Sequence, residues 1–382
     1  MRRLRMSVTR RGLQVTLGLL WILDGLLQLQ PAMFTAKFAT HVIAPAGQGQ
    51  PAFVSWPVEM ASRVILHQPV LADLAFAMIQ LALGAGLLYP RTARRALAAS
   101  VAWALAVWYL GEGLGGLLGG GESLLTGAPG AALMYAVVAL AAAPPRADRT
   151  GATGVTGTTG GRPARWTAAA WAALWIGGAV LQLRPGNDTN DLVGMSVAMN
   201  ATGAPGWLAA ISNHLAAMIP YSGVSVVADL VILQAFAGAG VLLAGRARQA
   251  AVWTGIGLSL VYWVVGQGLG QFWSGLATDP ETAPLMILLG AAVLGAGRLG
   301  RAGTEGPGLH DGEGGRGHHH RVLGDRDLGA GGGQHADAGL AQGQPDGLQA
   351  QVGRDAQAAA ADQQPAGVLV EAGRHPVQPR VG

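Results

Sequence analysis

Eight apolar stretches, near residues 13–30, 70–89, 96–118, 130–144, 166–184, 224–244, 250–272 and 284–299, set the terms on which this chain can fold. A helix crosses a bilayer with about 20 mostly apolar residues, a length these runs meet or approach, the fourth and eighth being the shortest. Backbone polar groups in lipid must bond within their own segment, so the expected fold is an all-α integral membrane protein of eight transmembrane helices. Charge content points the same way. Asp, Glu, Lys and Arg make up 12% of the 382 residues and hydrophobic types 51%, where a soluble domain carries about 25% charged residues. That polar surface is too small to cover a soluble globule, which excludes an ordinary soluble enzyme. The absence of cysteine excludes disulfides, thiolate metal sites and cysteine nucleophiles.

Arginine placement predicts orientation, because basic residues favour the cytoplasmic ends of short loops. Arg2, Arg3, Arg5, Arg10 and Arg11 precede the first run. Arg91, Arg94 and Arg95 separate the second from the third, and Arg246 and Arg248 the sixth from the seventh. The alternate loops hold only Lys37, Arg63 and the boundary residue Arg184 among basic residues, and carry Glu122, Asp188, Asp191, Asp279 and Glu281. The expected location is a bacterial plasma membrane, multi-pass, with both termini cytoplasmic. Thr9-Arg10-Arg11-Gly12-Leu13 resembles a twin-arginine export signal. No small-x-small cleavage site follows and Asp24 interrupts the run, so it is read as the flank of a retained helix.

The chain also matches itself. LWILDGLLQLQP ending at Pro31 repeats as LWIGGAVLQLRP ending at Pro185, an offset of 154 residues. In the same register Gln80 meets Gln234, and Gly84 and Gly86 meet Gly238 and Gly240. At offset 155 Trp108 meets Trp263, GEGLGG from Gly111 meets GQGLGQ from Gly266, and Ala128-Pro129 meets Ala283-Pro284. The expectation is two parallel four-helix repeats, 1–145 and 166–300, joined by a Gly/Thr/Arg-rich cytoplasmic linker over 146–165. Within each repeat, the segments 32–69 and 186–223 are too long for simple connections. Each is expected to carry a short amphipathic helix on the outer face.

Residues 301–382 change character. From 303 onward there is no Phe, Trp, Tyr, Ile, Met, Lys, Asn or Ser, so this tail cannot bury a core and is expected to be disordered. His318, His319 and His320 are its metal candidates. The alternatives are solvated filler, or GC-rich DNA translated in the wrong frame, since the missing types are those of AT-rich codons.

Polar groups at membrane depth mark candidate sites. Asp24, Gln28, Gln80 and Glu112 fall in the first repeat, and Gln234 and Gln267 in the second. All are candidates for an outer-half polar pocket. Asp24 is replaced by Gly178 and Glu112 by Gln267, so only the first repeat keeps both carboxylates. They read either as a pocket for a proton, a cation or a polar head group, or as polar glue between helices. Asp73 and Asp229 are expected to face interfacial water or cap helix starts. GEGLGG fits a dinucleotide-turn pattern but neither follows a strand nor opens a helix, so it is rejected as one. Gly111, Gly115 and Gly119 read instead as small residues for close helix contact, with the helix breaking up beyond them. Trp21, Trp56, Trp103, Trp108, Trp207, Trp263 and Trp273 read as an interfacial belt. His41, His67 and His214 lie in outer loops with no spacing that clamps a haem. There is no catalytic triad, P-loop or HExxH.

The LLQL-x-P end of the first helix and the GEGLGG region, on a four-helix unit with a long first outer loop, resemble the DoxX/DoxD-type bacterial membrane proteins, duplicated here in tandem. That resemblance implies a membrane partner of respiratory or thiol-redox systems, near quinone; the lack of cysteine argues against direct thiol chemistry. No site residue is carried over from it. Two functions are expected: a redox-associated subunit binding quinone or lipid in the outer-half pocket, or a proton- or cation-coupled transporter of a small solute. The expected partners are the bilayer and a respiratory or redox membrane protein, with no nucleic acid.

Overall fold

A computed structural model describes residues 9–144, 161–222 and 225–302; the side chains of 161–164 and 296–302 are outside it. Most of the expected linker, the tail from 303, and with it His318, His319 and His320, lie outside the described residues. Every regular element among the described residues is a helix, with no strand. The all-α expectation therefore holds.

Each of the eight apolar stretches contains a helix. In the first half these are α1 (Arg10–Gln28), α3 (Pro69–Leu88), α4 (Ala93–Leu110) and α5 (Ala131–Ala142). In the second they are α6 (Gly161–Gln182), α9 (Val226–Ala239), α10 (Gly245–Val261) and α11 (Thr282–Ala302). Between them lie α2 (Ala52–His67), α7 (Asn190–Ala201) and α8 (Gly206–Met218). The segment 32–69 thus carries one amphipathic helix, preceded by a π turn over Phe38–Ile43, whereas 186–223 carries two helices. α6 already begins at Gly161, inside the expected linker.

Among the described residues two helices are long and apolar enough to cross a membrane: α3, and α10 with its π-helical extension, together Gly245–Gly266. A bent pair, Gly206–Tyr221 with Val226–Leu242, makes a third if it crosses as one. The others fall short for visible reasons. α5 has only 12 residues, and α1 starts on Arg10-Arg11 and contains Asp24.

Local chemistry sets the ends. Thr9 caps α1, its hydroxyl accepting from Gly12 N at 3.0 Å, so the twin arginine is the first turn of a helix. Arg11 donates to the carbonyls of Leu87, at 2.9 Å, and Leu88, stabilising the C-terminal end of α3.

Small residues set the packing. α1 lies against α3 across Gly84, where a Cβ would stand 2.6 Å from Ile22 Cγ1 and 2.7 Å from the Gly18 carbonyl. α6 lies against α9 in the same manner: a Cβ on Gly238 would stand 2.8 Å from Ile176 Cγ1. One large core joins both halves through Trp21, Tyr135, Trp171, Trp175 and Tyr262. A smaller one, with Met33, Phe38, Val54 and Val58, lies beneath α2.

Candidate functional site

α4 stops at Leu110, short of the expected 118, because GEGLGG does not continue the helix. Residues Gly113–Gly116 form a tight turn with Leu114 at φ 59° and Gly115 at φ 61°. A Cβ on Gly115 would collide with the Pro129 carbonyl. These glycines therefore serve a turn folded onto the chain before α5, and the reading of Gly111, Gly115 and Gly119 as a helix-contact stripe is overturned. GQGLGQ repeats the turn, with Leu269 at φ 51° and Gly270 at φ 78°.

The turn aims Glu112 at the start of α5. Its Oε1 accepts from Ala132 N at 2.9 Å, while Oε2 has no partner. In the second half Gln267 Oε1 accepts from Ala283 N, also at 2.9 Å. Its Nε2 donates to the Leu124 carbonyl at 3.1 Å. The residue opposite Glu112 Oε2 is Gly130, at φ 102°, whose missing Cβ leaves room for the carboxyl. Its counterpart is Glu281, held at φ 72° without that excuse.

Glu112 lines a cavity of about 560 Å³ in the first half. Asp24, Gln28 and Gln80 line it too, so the structure brings these four sequence candidates together. Asp24 is 1% exposed and its Oδ1 lacks a partner; the Tyr135 hydroxyl stands beside it. The amide oxygens of Gln28 and Gln80 are also buried without partners. The walls are apolar, aliphatic side chains alternating with aromatic rings. Trp21 packs on Tyr135 with ring centres 4.3 Å apart, and Phe76 on Trp103 at 5.6 Å. Its exposed lining residues, Trp56 and Val64 of α2 at 65% each and Ala106 and Leu110 of α4, put the mouth between these two helices.

Gln234 and Gln267 do not line this cavity. Gln234 Nε2 donates to the Tyr262 hydroxyl at 2.8 Å in the buried second half. A Cβ on Gly178, the counterpart of Asp24, would collide with Leu124. Leu124, from the loop before α5, thus stands where a side chain equivalent to Asp24 would lie, and Tyr262 is buried beside Gln234.

The exchange is reciprocal. Gln30 Nε2 donates to the Ala277 carbonyl at 3.2 Å, and Arg184 Nη1 to the Leu117 carbonyl at 2.7 Å. The loop preceding α11 thereby carries Thr278 and Asp279 into the wall of the first cavity. Sequence reading placed Asp279 merely among acidic loop residues. A signal was present: Ser123-Leu124-Leu125 with Pro129 matches Ser274-Gly275-Leu276 with Pro280 at an offset of 151. Hydrogen bonds follow that register. Trp108 Nε1 donates to the Pro129 carbonyl at 2.7 Å and Trp263 Nε1 to the Pro280 carbonyl at 2.9 Å, so Pro129 pairs with Pro280 and not with Pro284.

Asp279 Oδ2 accepts from the Thr278 hydroxyl at 2.7 Å, and Oδ1 from Glu281 N at 2.8 Å. Burial raises its pKa above the ordinary carboxylate range. Glu281 is raised further, by burial and then by the charges of Asp279, Glu112 and Glu122. Burial also raises Glu122.

Two other expectations change. Asp73 is fully buried beside Gln28, not at interfacial water; Asp229 is exposed in the first turn of α9. Trp21 is buried and donates to Ser100 Oγ at 2.7 Å. With Trp103, Trp108 and Trp263 it is a structural or cavity residue, and only Trp56 and Trp207 of the expected belt are largely exposed. His41, His67 and His214 are exposed on separate segments. Among the described residues no group of three or more His, Asp or Glu is arranged to hold a metal ion. No protein-family model matches the chain, and neither does any curated protein or solved structure.

Proposed function

We propose that the protein is a multi-pass bacterial plasma-membrane protein of two parallel four-helix repeats, of which the first binds a lipophilic molecule, of the quinone or lipid class, in its outer half. The carrying observation is the cavity itself: aromatic and aliphatic walls, a mouth between two helices, and a floor where Asp24 and Glu112 keep unpartnered oxygens. Sites of about 300–1,000 Å³ with apolar walls and a few convergent polar groups suit small ligands. A buried carboxyl left unpaired is costly enough to need a purpose.

The repeat reading is supported by matched contacts. Ile22 against Gly84 corresponds to Ile176 against Gly238, and Ala96 beneath Gly86 to Ala251 beneath Gly240. The Glu112 and Gln267 bonds correspond as well. On this reading the eight helices α1, α3, α4, α5, α6, α9, α10 and α11 cross the bilayer. α2, α7 and α8 lie on the outer face, and both termini are cytoplasmic. The role is that of a binding subunit beside a respiratory or redox partner, which the resemblance to DoxX/DoxD-type proteins would suit. Asp279 favours the second reading, proton- or cation-coupled transport, because it adds a third carboxyl to the cavity.

The test is extraction of the purified full chain. Mass spectrometry of the organic extract, with a UV-visible spectrum, is expected to reveal one retained lipophile. Glu112→Gln is expected to lower its occupancy, since glutamine keeps the bond to Ala132 N but loses the charge. An extract whose lipophiles are the same in kind and in amount per protein for wild type and Glu112→Gln would overturn the reading.

A further inference from the structure

The polar end of the cavity is unbalanced, and the imbalance selects among lipophilic ligands. Three carboxyls reach it from three separate segments: Asp24 from α1, Glu112 from the turn after α4, and Asp279 from the loop before α11. Asp24 Oδ1 and Glu112 Oε2 are buried without a donor. Against them the buried donors without a hydrogen bond are the Tyr135 hydroxyl, which stands beside Asp24, and Trp103 Nε1, and the amides of Gln28 and Gln80 are neutral. No Lys, Arg or His lines the cavity. Buried acceptors need donors, and buried carboxylates need a countercharge. A quinone brings carbonyl acceptors and no countercharge to the three carboxyls. A quaternary ammonium brings charge without N–H groups. A primary ammonium brings both, with three donors. The faces of Trp21, Phe38, Phe76 and Trp103 on the same walls attract a cation further.

We propose that the cavity binds a lipophilic primary amine as its ammonium cation, the N–H groups held by Asp24, Glu112 and Asp279 and the tail leaving between α2 and α4. This rests on the reading that the cavity takes a lipophilic ligand, and names its head group. Binding exchanges ions: a carboxylic acid gives its proton to water as the ammonium arrives, so one positive charge leaves for each that enters. The groups facing one another are Asp24, Glu112, Asp279 and Tyr135, with Glu281 and Glu122 behind Asp279. α2 and α3 place no titratable side chain in the lining, and Asp73 on α3 stands behind Gln28. Affinity therefore rises with pH as the carboxyls ionise, until the amine itself loses its proton near pH ~10.

Full-length protein in neutral detergent is titrated separately with dodecylamine, dodecanol and decylubiquinone, at about pH 6 and about pH 8, following tryptophan fluorescence and proton release into weak buffer. Dodecylamine is expected to saturate, to release protons, and to bind on the order of tenfold tighter at the higher pH. Dodecanol is expected not to saturate. Glu112→Gln and Asp279→Asn should each weaken amine binding by about tenfold or more and flatten its pH dependence; Gln267 is an in-chain precedent that glutamine is tolerated at the Glu112 position. Decylubiquinone binding with dodecylamine inert would overturn this inference and leave the lipophile site standing. If no compound saturates, both fall. Repeating the titration in nanodiscs identifies the source of the amine. Suppression by phosphatidylethanolamine, and not by phosphatidylcholine, assigns a lipid head group; equal binding in both assigns a free amine.

Discussion

Glu281 and Gly130 occupy equivalent places before α11 and α5, and each adopts a positive φ, 72° and 102°. Gly130 does so without strain. Glu281 carries a side chain in a conformation that costs about 1–3 kcal/mol, and its carboxyl is buried among others. Glu281→Gly is therefore expected to raise the melting temperature. The pH dependence has a definite sign. An acid whose folded pKa is raised contributes stability below the unfolded value, and that contribution is lost as pH rises through the folded value. Asp279 and Glu281 are both raised, so the detergent-solubilised protein should lose stability from about pH 4 upward. The gain from Glu281→Gly should be larger at alkaline pH than at acidic pH. Gly130→Ala should act oppositely, because its methyl takes the place of Glu112 Oε2; a melting temperature equal to wild type would count against the assigned geometry. Asp24, Gln28, Gln80 and Glu112 were legible as site candidates because polar residues in apolar runs stand out. Asp279 was not, since an acidic residue in a loop looks like any solvated one and only the reciprocal loop packing carries it inward.

The loops before α5 and α11 behave as exchanged elements. Leu124 packs in the second half against Gly178, the position equivalent to Asp24, and its carbonyl accepts from Gln267. Leu124→Ala is expected to cost about 2–5 kcal/mol, read as a fall in melting temperature, and to leave ligand binding in the first half unchanged. Helix positions were readable because the runs are apolar all round: α3 keeps Val70, Leu71 and Met78 on its exposed sides as well as Ala77, Leu83 and Leu87 on its buried one. The end of α4 was misjudged, since GEGLGG is apolar enough to pass for a span while its glycines permit a turn at positive φ. The second helix in 186–223 escaped notice because α7 has no clear apolar face.

At the scale of the whole molecule, the two halves share helix contacts and hydrogen bonds but differ in what their interiors hold. Orientation is open to direct test in a chain with no cysteine. Thr92→Cys, between α3 and α4, should react with a membrane-impermeant maleimide only after cells are opened. Asp188→Cys, between α6 and α7, should react on intact cells. The inverse pattern would contradict the proposed topology. The central claim, a lipophile in the first-half cavity, is tested most directly by native mass spectrometry of the full chain and of Ala106→Trp. Ala106 lines the cavity and is exposed, so tryptophan there is expected to fill the space and leave the polar floor intact. Wild type is expected to retain one small lipophilic adduct that the variant lacks. The same adduct on both proteins, or none on either, would contradict the account.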